Sequence, residues 1–272
     1  MNLEHIKRHV FVSCPFDLLK NKYLPVILSQ AINPEVGLNG TILDRFSLKD
    51  FFDVSRVLQE NGLSCTMHAP FTDISCGAID SKIRGVSLDR LRYAVDLAAL
   101  FGARSLVFHT GWERKIYADV TDTWLEFAIE TISHLCNYAA ASSVKVALEN
   151  VFELDTALHK GIFNAISEEL LGFCLDAGHV YAFSKTPLES WLADLGPRIR
   201  HLHLHDNMGE HDEHLAPGKG IIDFDLIFSW LSKNGIRPVL TLEAHDEETV
   251  IPGLVAIGEL VSRYFGADYL DG

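Results

Sequence analysis

The sequence predicts an α/β fold, a single closed (β/α)8 barrel spanning residues 1–272, on three observations. Short β-rich runs alternate with longer amphipathic stretches along the whole chain, and no shift in composition marks a linker. Eight such units fit within 272 residues, near the roughly 250 residues usual for a closed barrel. Residues able to do chemistry gather at the C-terminal ends of the strand candidates, where a barrel opens its mouth.

Taken in order, the strand candidates are HVFVSC (9–14), PEVGLN (34–39), SCTMHA (64–69) and SLVFHT (105–110). KVALEN (145–150), GFCLDA (172–177), IRHLHLH (199–205) and PVLTLEA (238–244) complete the eight. Helical periodicity runs through 47–61, 87–101 and 123–140. Ser47 and Ser87 stand where N-caps belong, and Gly62, Gly102 and Gly235 follow helical runs as C′ residues. Strand candidates begin shortly after each of these glycines, as short αβ loops require. The stretch 31–47 gives the least clear signal and leaves the first strand-to-strand connection unplaced.

A net charge of −14, from 23 basic against 37 acidic residues, disfavours a general nucleic-acid or membrane-surface binder, which needs a basic footprint. Cys14, Cys65, Cys76, Cys136 and Cys174 form no CxxC pair and read as buried, reduced thiols of a cytoplasmic protein. The charged start MNLEHIKRHVFV lacks the apolar stretch of a signal peptide. No apolar run approaches the roughly 18 residues of a membrane span.

The strand ends supply His68, His109, Glu149, Asp176, His203 and Glu243, His179 follows just after Asp176, and Asp212 and His214 sit in the loop after strand seven. A lone strand-end histidine is usually just hydrogen-bonded, and a lone carboxylate as readily caps the next helix. Coincidence over six strands is another matter. Several carboxylates at one mouth would repel and protonate unless cations held them. Imidazole mixed with carboxylate suits Zn²⁺, Mn²⁺ or Fe²⁺ better than an all-oxygen Mg²⁺ or Ca²⁺ site.

The densest stretch, HLHLHDN (201–207), puts His201, His203 and His205 on one strand face and Leu202 and Leu204 on the other. Successive residues on that face are about 6–7 Å apart along the strand, so the three cannot share one metal. His203 is expected to bind directly, with His205 and Asp206 supporting it or touching substrate and His201 lying deeper.

On these residues the chain resembles the endonuclease IV / xylose isomerase-like TIM-barrel superfamily, most clearly from strand three to strand eight. Endonuclease IV-like proteins hold up to three metals, usually zinc, with nine side chains, and all nine have counterparts here in order. The resemblance implies that His68, His109 and Glu149 hold one metal. Glu149 would bridge to a second, also held by Asp176, His203 and Glu243, while His179, Asp212 and His214 hold the third. His203-x-x-Asp206 matches the family's spacing between a ligand histidine and a following acid.

The resulting expectation is a metal-dependent hydrolase of a phosphate ester, a small phosphodiester first, with Glu149 and Glu243 as catalytic residues. Phe71, Trp112, His205, Asp206 and Lys219 are the candidate substrate contacts. One rival is a single-metal sugar or sugar-phosphate isomerase or epimerase, with Glu149 and Glu243 as its acid–base pair and Asp176 and His203 completing the site. A second is an abasic-site endonuclease, disfavoured by the acidic charge, and a third is a metal-binding barrel without turnover.

Overall fold

A computed structural model describes residues 2–266. Eight parallel strands close into a barrel in sequence order: β1 (Val10–Pro15), β2 (Asn33–Gly37), β3 (Thr66–His68) and β4 (Leu106–His109), followed by β5 (Val146–Glu149), β6 (Gly172–Asp176), β7 (Ile199–Leu204) and β8 (Val239–Leu242). Every strand falls within a residue or two of its sequence candidate. The barrel closes where Val10, Phe11 and Val12 pair with Leu240, Thr241 and Leu242.

Alternation divides the side chains between two environments. Outward-facing residues such as Leu106, Phe108, Leu148, Phe173, Leu202 and Leu204 are buried against the helices and belong to the main apolar core. The apolar cluster inside the barrel is small, comprising Val107, Ala147 and Cys174. Above and beside it the interior is polar, with Glu35, Thr66, His201, His203 and Thr241 all buried. Each such group needs a partner, since an unpaired buried polar group costs about 1–3 kcal/mol. All five cysteines are buried thiols, and burial pushes those of Cys65 and Cys76 up to about 12.

The unplaced first connection is built from short pieces: helix Phe16–Leu18, a wide turn Leu19–Tyr23 with π-type bonding, and helix Leu24–Gln30. No piece is long enough to show a clear 3.6-residue period, and the stretch 31–47 that follows holds only β2 and the six-residue helix Gly40–Arg45. Ser47 caps helix Leu48–Glu60 in a reciprocal capping box with Asp50, and Gly62, Gly102 and Gly235 adopt left-handed φ.

Ser87 is a correction. The helix begins about two turns earlier, at Ser81, capped by Asp80. Ser87 lies within it and accepts a hydrogen bond from the buried Ser75 N–H at 3.1 Å, so it ties the loop after β3 to the helix. Among the described residues, no helix is long and apolar enough to cross a membrane.

The two serines should therefore respond differently to alanine in urea unfolding. Ser47→Ala removes a solvent-exposed cap and should cost about 1 kcal/mol. Ser87→Ala strands a buried N–H and should cost about 1–3 kcal/mol. A smaller loss for Ser87→Ala than for Ser47→Ala would contradict the buried-bond assignment.

Candidate metal centre

The strand ends converge on a cavity of about 810 Å³ at the C-terminal mouth. At its floor lies the Glu149 carboxylate, fully buried at the end of β5. Its Oε2 is 3.1 Å from both His68 Nε2 and His109 Nε2. Its Oε1 is 3.1 Å from His203 Nδ1 and 3.4 Å from His179 Nδ1. Four histidines from four separate segments thus meet one carboxylate.

Around this hub the other candidates form two further groups. His203 Nδ1 faces Glu243 Oε2 at 3.3 Å and Asp176 Oδ2 at 4.0 Å. Asp212 Oδ2 lies 3.0 Å from His214 Nε2 and 3.3 Å from His179 Nε2. The structure therefore brings all nine side chains into one connected cluster. Asp176 also caps the helix Ala177–Phe183, its Oδ1 accepting from His179 N–H at 2.7 Å. One carboxylate orients the helix and faces the cluster.

The loop carrying Asp212 and His214 is organised by Asp206. Its carboxylate accepts backbone N–H bonds from Gly218, Gly220 and Ile222 at 2.8–3.1 Å, and its backbone pairs with Leu215 in both directions. Asp206 is wholly buried in this role and offers nothing to a substrate. Next to the pairing, His214 is held at φ 52°, a strained value for a residue with a side chain.

The other substrate candidates divide. Phe71 is half exposed over the mouth and stacks on His109 with centroids 4.9 Å apart. Trp112 lines the cavity, held by its N–H bond to Thr110. His205 is buried among the clustered histidines and carboxylates, its Nε2 2.9 Å from Asp176 Oδ2. Lys219 is exposed on the outer loop and does not line the cavity.

Three residues of the site escape the sequence reading: Glu35, Asn150 and His245. Glu35, in the middle of β2, lies under His203 with its Oε1 3.0 Å from Nε2. Thr66 donates to Glu35 Oε2 at 2.7 Å and Thr241 at 3.1 Å. His201 sits deeper still, bonded to Thr241 and Ser105. Asn150 bonds the Asp176 backbone at both N–H and C=O. His245 stacks on His214 at 3.6 Å. A charged residue inside an otherwise apolar strand was the available signal for Glu35. For His245 it was the two-residue step beyond Glu243.

Burial opposes the Glu149 charge, yet His203 and His109, with His179, hold its carboxyl well below the usual range. Glu35 is likewise lowered against burial, to about 2, chiefly by His203. Burial also opposes the His203 charge, while Cys174 and then Glu149, Glu35 and Glu243 raise it well above its ordinary value. Because burial pushes the Cys174 thiol up as well, it is neutral near pH 7, and it is the carboxylates that keep the proton on His203. His179 is raised well above normal against burial, by Asp176, Asp212 and Glu149.

The donor set fits divalent metal ions. Mixed imidazole and carboxylate is the ligand chemistry of zinc and its neighbours. His205 Nδ1, Asp212 Oδ1 and Glu243 Oε2 are buried without hydrogen-bond partners, as expected of atoms whose partner is a cation.

The metal-free protein should show a pH dependence of definite sign. His203 and His179 carry folded pKa values above the ordinary 6.5, so the native state keeps protons that the unfolded chain releases above that pH. Their stabilisation is full below pH 6.5 and is lost as pH rises through the folded values. Metal must displace the same protons, so affinity rises with pH. In chelator, the melting temperature should fall as pH rises above 6.5, while the increment from added Zn²⁺ grows. A metal-free melting temperature that climbs over this range would refute the assignment.

The profile of the "Xylose isomerase-like TIM barrel" family matches residues 37–261. The chain is 32% identical over 184 residues to the uncharacterized protein MJ1614 of Methanocaldococcus jannaschii, covering 66% of this chain and 71% of that one. It is 28% identical over 204 residues to the probable endonuclease 4 of Mycobacterium leprae, covering 70% and 77%. A D-tagatose 3-epimerase-like protein superposes with a TM-score of 0.80 at 22% identity, covering 94% of this chain and 98% of that one. Protein TTHB071 of Thermus thermophilus, from a crystal soaked with ZnCl2, gives 0.77 at 27% identity, covering 92% and 98%.

Proposed function

Because the chain belongs to the xylose isomerase-like TIM-barrel family, a family that includes endonucleases and sugar epimerases, we propose that it is a metal-dependent hydrolase of a small phosphodiester. One observation carries this reading. The central group of Glu149, Asp176, His203 and Glu243 is flanked by His68 and His109 on one side and by His179, Asp212 and His214 on the other. A single-metal isomerase needs only the central four. The flanking residues bring enough donors for additional cations.

Held by these residues, such cations would supply a hydroxide near neutral pH and would neutralise charge growing on a phosphoester. Glu149 faces both the His68–His109 pair and His203, so it is placed to bridge neighbouring sites. Glu243 Oε2 lies 3.3 Å from His203 Nδ1 and lines the cavity, and in this reading it would take a proton from the attacking water.

The cavity lining contains no Lys or Arg, but does contain Asp73 and Glu113. A polyanion would find nothing there to replace its counterions, which favours a small substrate over DNA. Phe71, Trp112, Phe152 and Phe183 line the outer part, an apolar wall for the organic substituent of the ester.

A second reading, a sugar epimerase, draws on one specific feature. Glu149 and Glu243 approach the same His203 nitrogen, at 3.1 and 3.3 Å, as the acid–base pair of a single-metal site could.

Metal analysis and assays separate the two. We expect about three equivalents per chain, falling with His109→Ala and with Asp212→Ala. Bis(p-nitrophenyl) phosphate should be cleaved, an abasic duplex left intact, and a ketose panel unchanged. Glu243→Gln, which keeps one oxygen donor, should lose about 100-fold or more in kcat when assayed with metal in excess. One equivalent per chain with ketose turnover would establish the epimerase reading instead.

A further inference from the structure

The His205 ring is fully buried, yet it belongs to none of the three ligand groups used so far. Its Nε2 lies 3.1 and 2.9 Å from the two oxygens of Asp176. A carboxylate accepts only, so Nε2 carries a proton, and in the neutral ring Nδ1 is left with a free lone pair. Nδ1 is buried with no hydrogen-bond partner, and so is Asp212 Oδ1, which stands 3.6 Å away.

Two lone-pair atoms facing each other repel unless a proton or a metal cation lies between them. Two ligands of a tetrahedral zinc, each at about 2.0–2.2 Å, stand about 3.4 Å apart, close to the separation found here. His205, Asp212 and His214 offer ligand atoms all within 4.8 Å of one another.

The surroundings hold the ring in this pose. His205 stacks on His214 with centroids 4.0 Å apart and planes 16° from parallel. On another side Gly178 makes the space, since a Cβ there would fall 2.0 Å from His205 Cε1. The helix residue beside the ring is thus limited to glycine.

We propose that His205 is itself a metal ligand through Nδ1, joining Asp212 and His214, with Asp176 fixing its tautomer. This rests on the multinuclear reading above and adds a donor to it. A histidine whose second nitrogen is held by a carboxylate is a common way of aiming a ligand.

The test is a Co²⁺ titration of chelator-treated wild type and His205→Gln, followed by visible absorption, metal analysis and thermal unfolding. We expect wild type to take up three equivalents. In the variant one equivalent should be lost or bind at least about tenfold more weakly, with a change in its Co²⁺ bands. The metal-free variant should melt within a few degrees of metal-free wild type. Unchanged affinities and bands would overturn the proposal and leave the multinuclear reading intact. A metal-free variant that melts far below wild type would overturn it too, assigning His205 to packing. A single equivalent in wild type would remove both readings together.

Discussion

The Glu149 carboxylate is the point on which the rest of the mouth depends. A carboxylate buried this deeply is costly unless its charge is met, and here it is met from β3, β4, β7 and the helix after β6 at once. Each of those elements must end at the right height for its histidine to reach. Barrel closure supplies that agreement, pairing His109 with Glu149 and Asp176 with His203 across neighbouring strands. Remove the carboxylate and four imidazoles lose their common partner. Remove the closure and the carboxylate loses its four imidazoles.

Beneath the hub, Glu35 extends the same logic downward. Thr66 and Thr241 hold its carboxylate from either side, and it in turn faces His203 and His201. The barrel interior is therefore less a hydrophobic plug than a graded polar column. Apolar packing is left mainly to the layer between strands and helices. Such a column limits the orientations open to His203 and presents its Nδ1 upward.

Much of this was legible because period-two alternation and strand ends are local signals. HLHLHDN displayed its two faces directly, and the nine ligand candidates each stood at a strand end or in the loop beyond one. What was hidden depends on distance in space. Nothing near Asp206 announces that it will bond the backbone of residues twelve to sixteen positions later. Ser87 carries the right residue type for a cap, but its hydroxyl is claimed by a loop from another part of the chain. Glu35 stands in mid-strand, where a local pattern of strand-end donors carries no signal. His205 looked like a substrate contact until its neighbours Asp176, Asp212 and Gly178 were in view.

The Asp206 knot separates the centre into parts of different origin. Glu149, Asp176, His203 and Glu243 belong to the barrel frame and would survive almost any change in its loops. Asp212 and His214 arrive on a single excursion, pinned at its base by one carboxylate and carrying its backbone strain at His214. In evolutionary terms the barrel is a fixed chassis with an exchangeable cartridge. Reshaping that one loop would remove Asp212 and His214 and leave the seven candidates carried by strand ends and the helix after β6 in place. A change in the number of donors at the mouth thus runs through one stretch of chain between β7 and the next helix, without disturbing a strand.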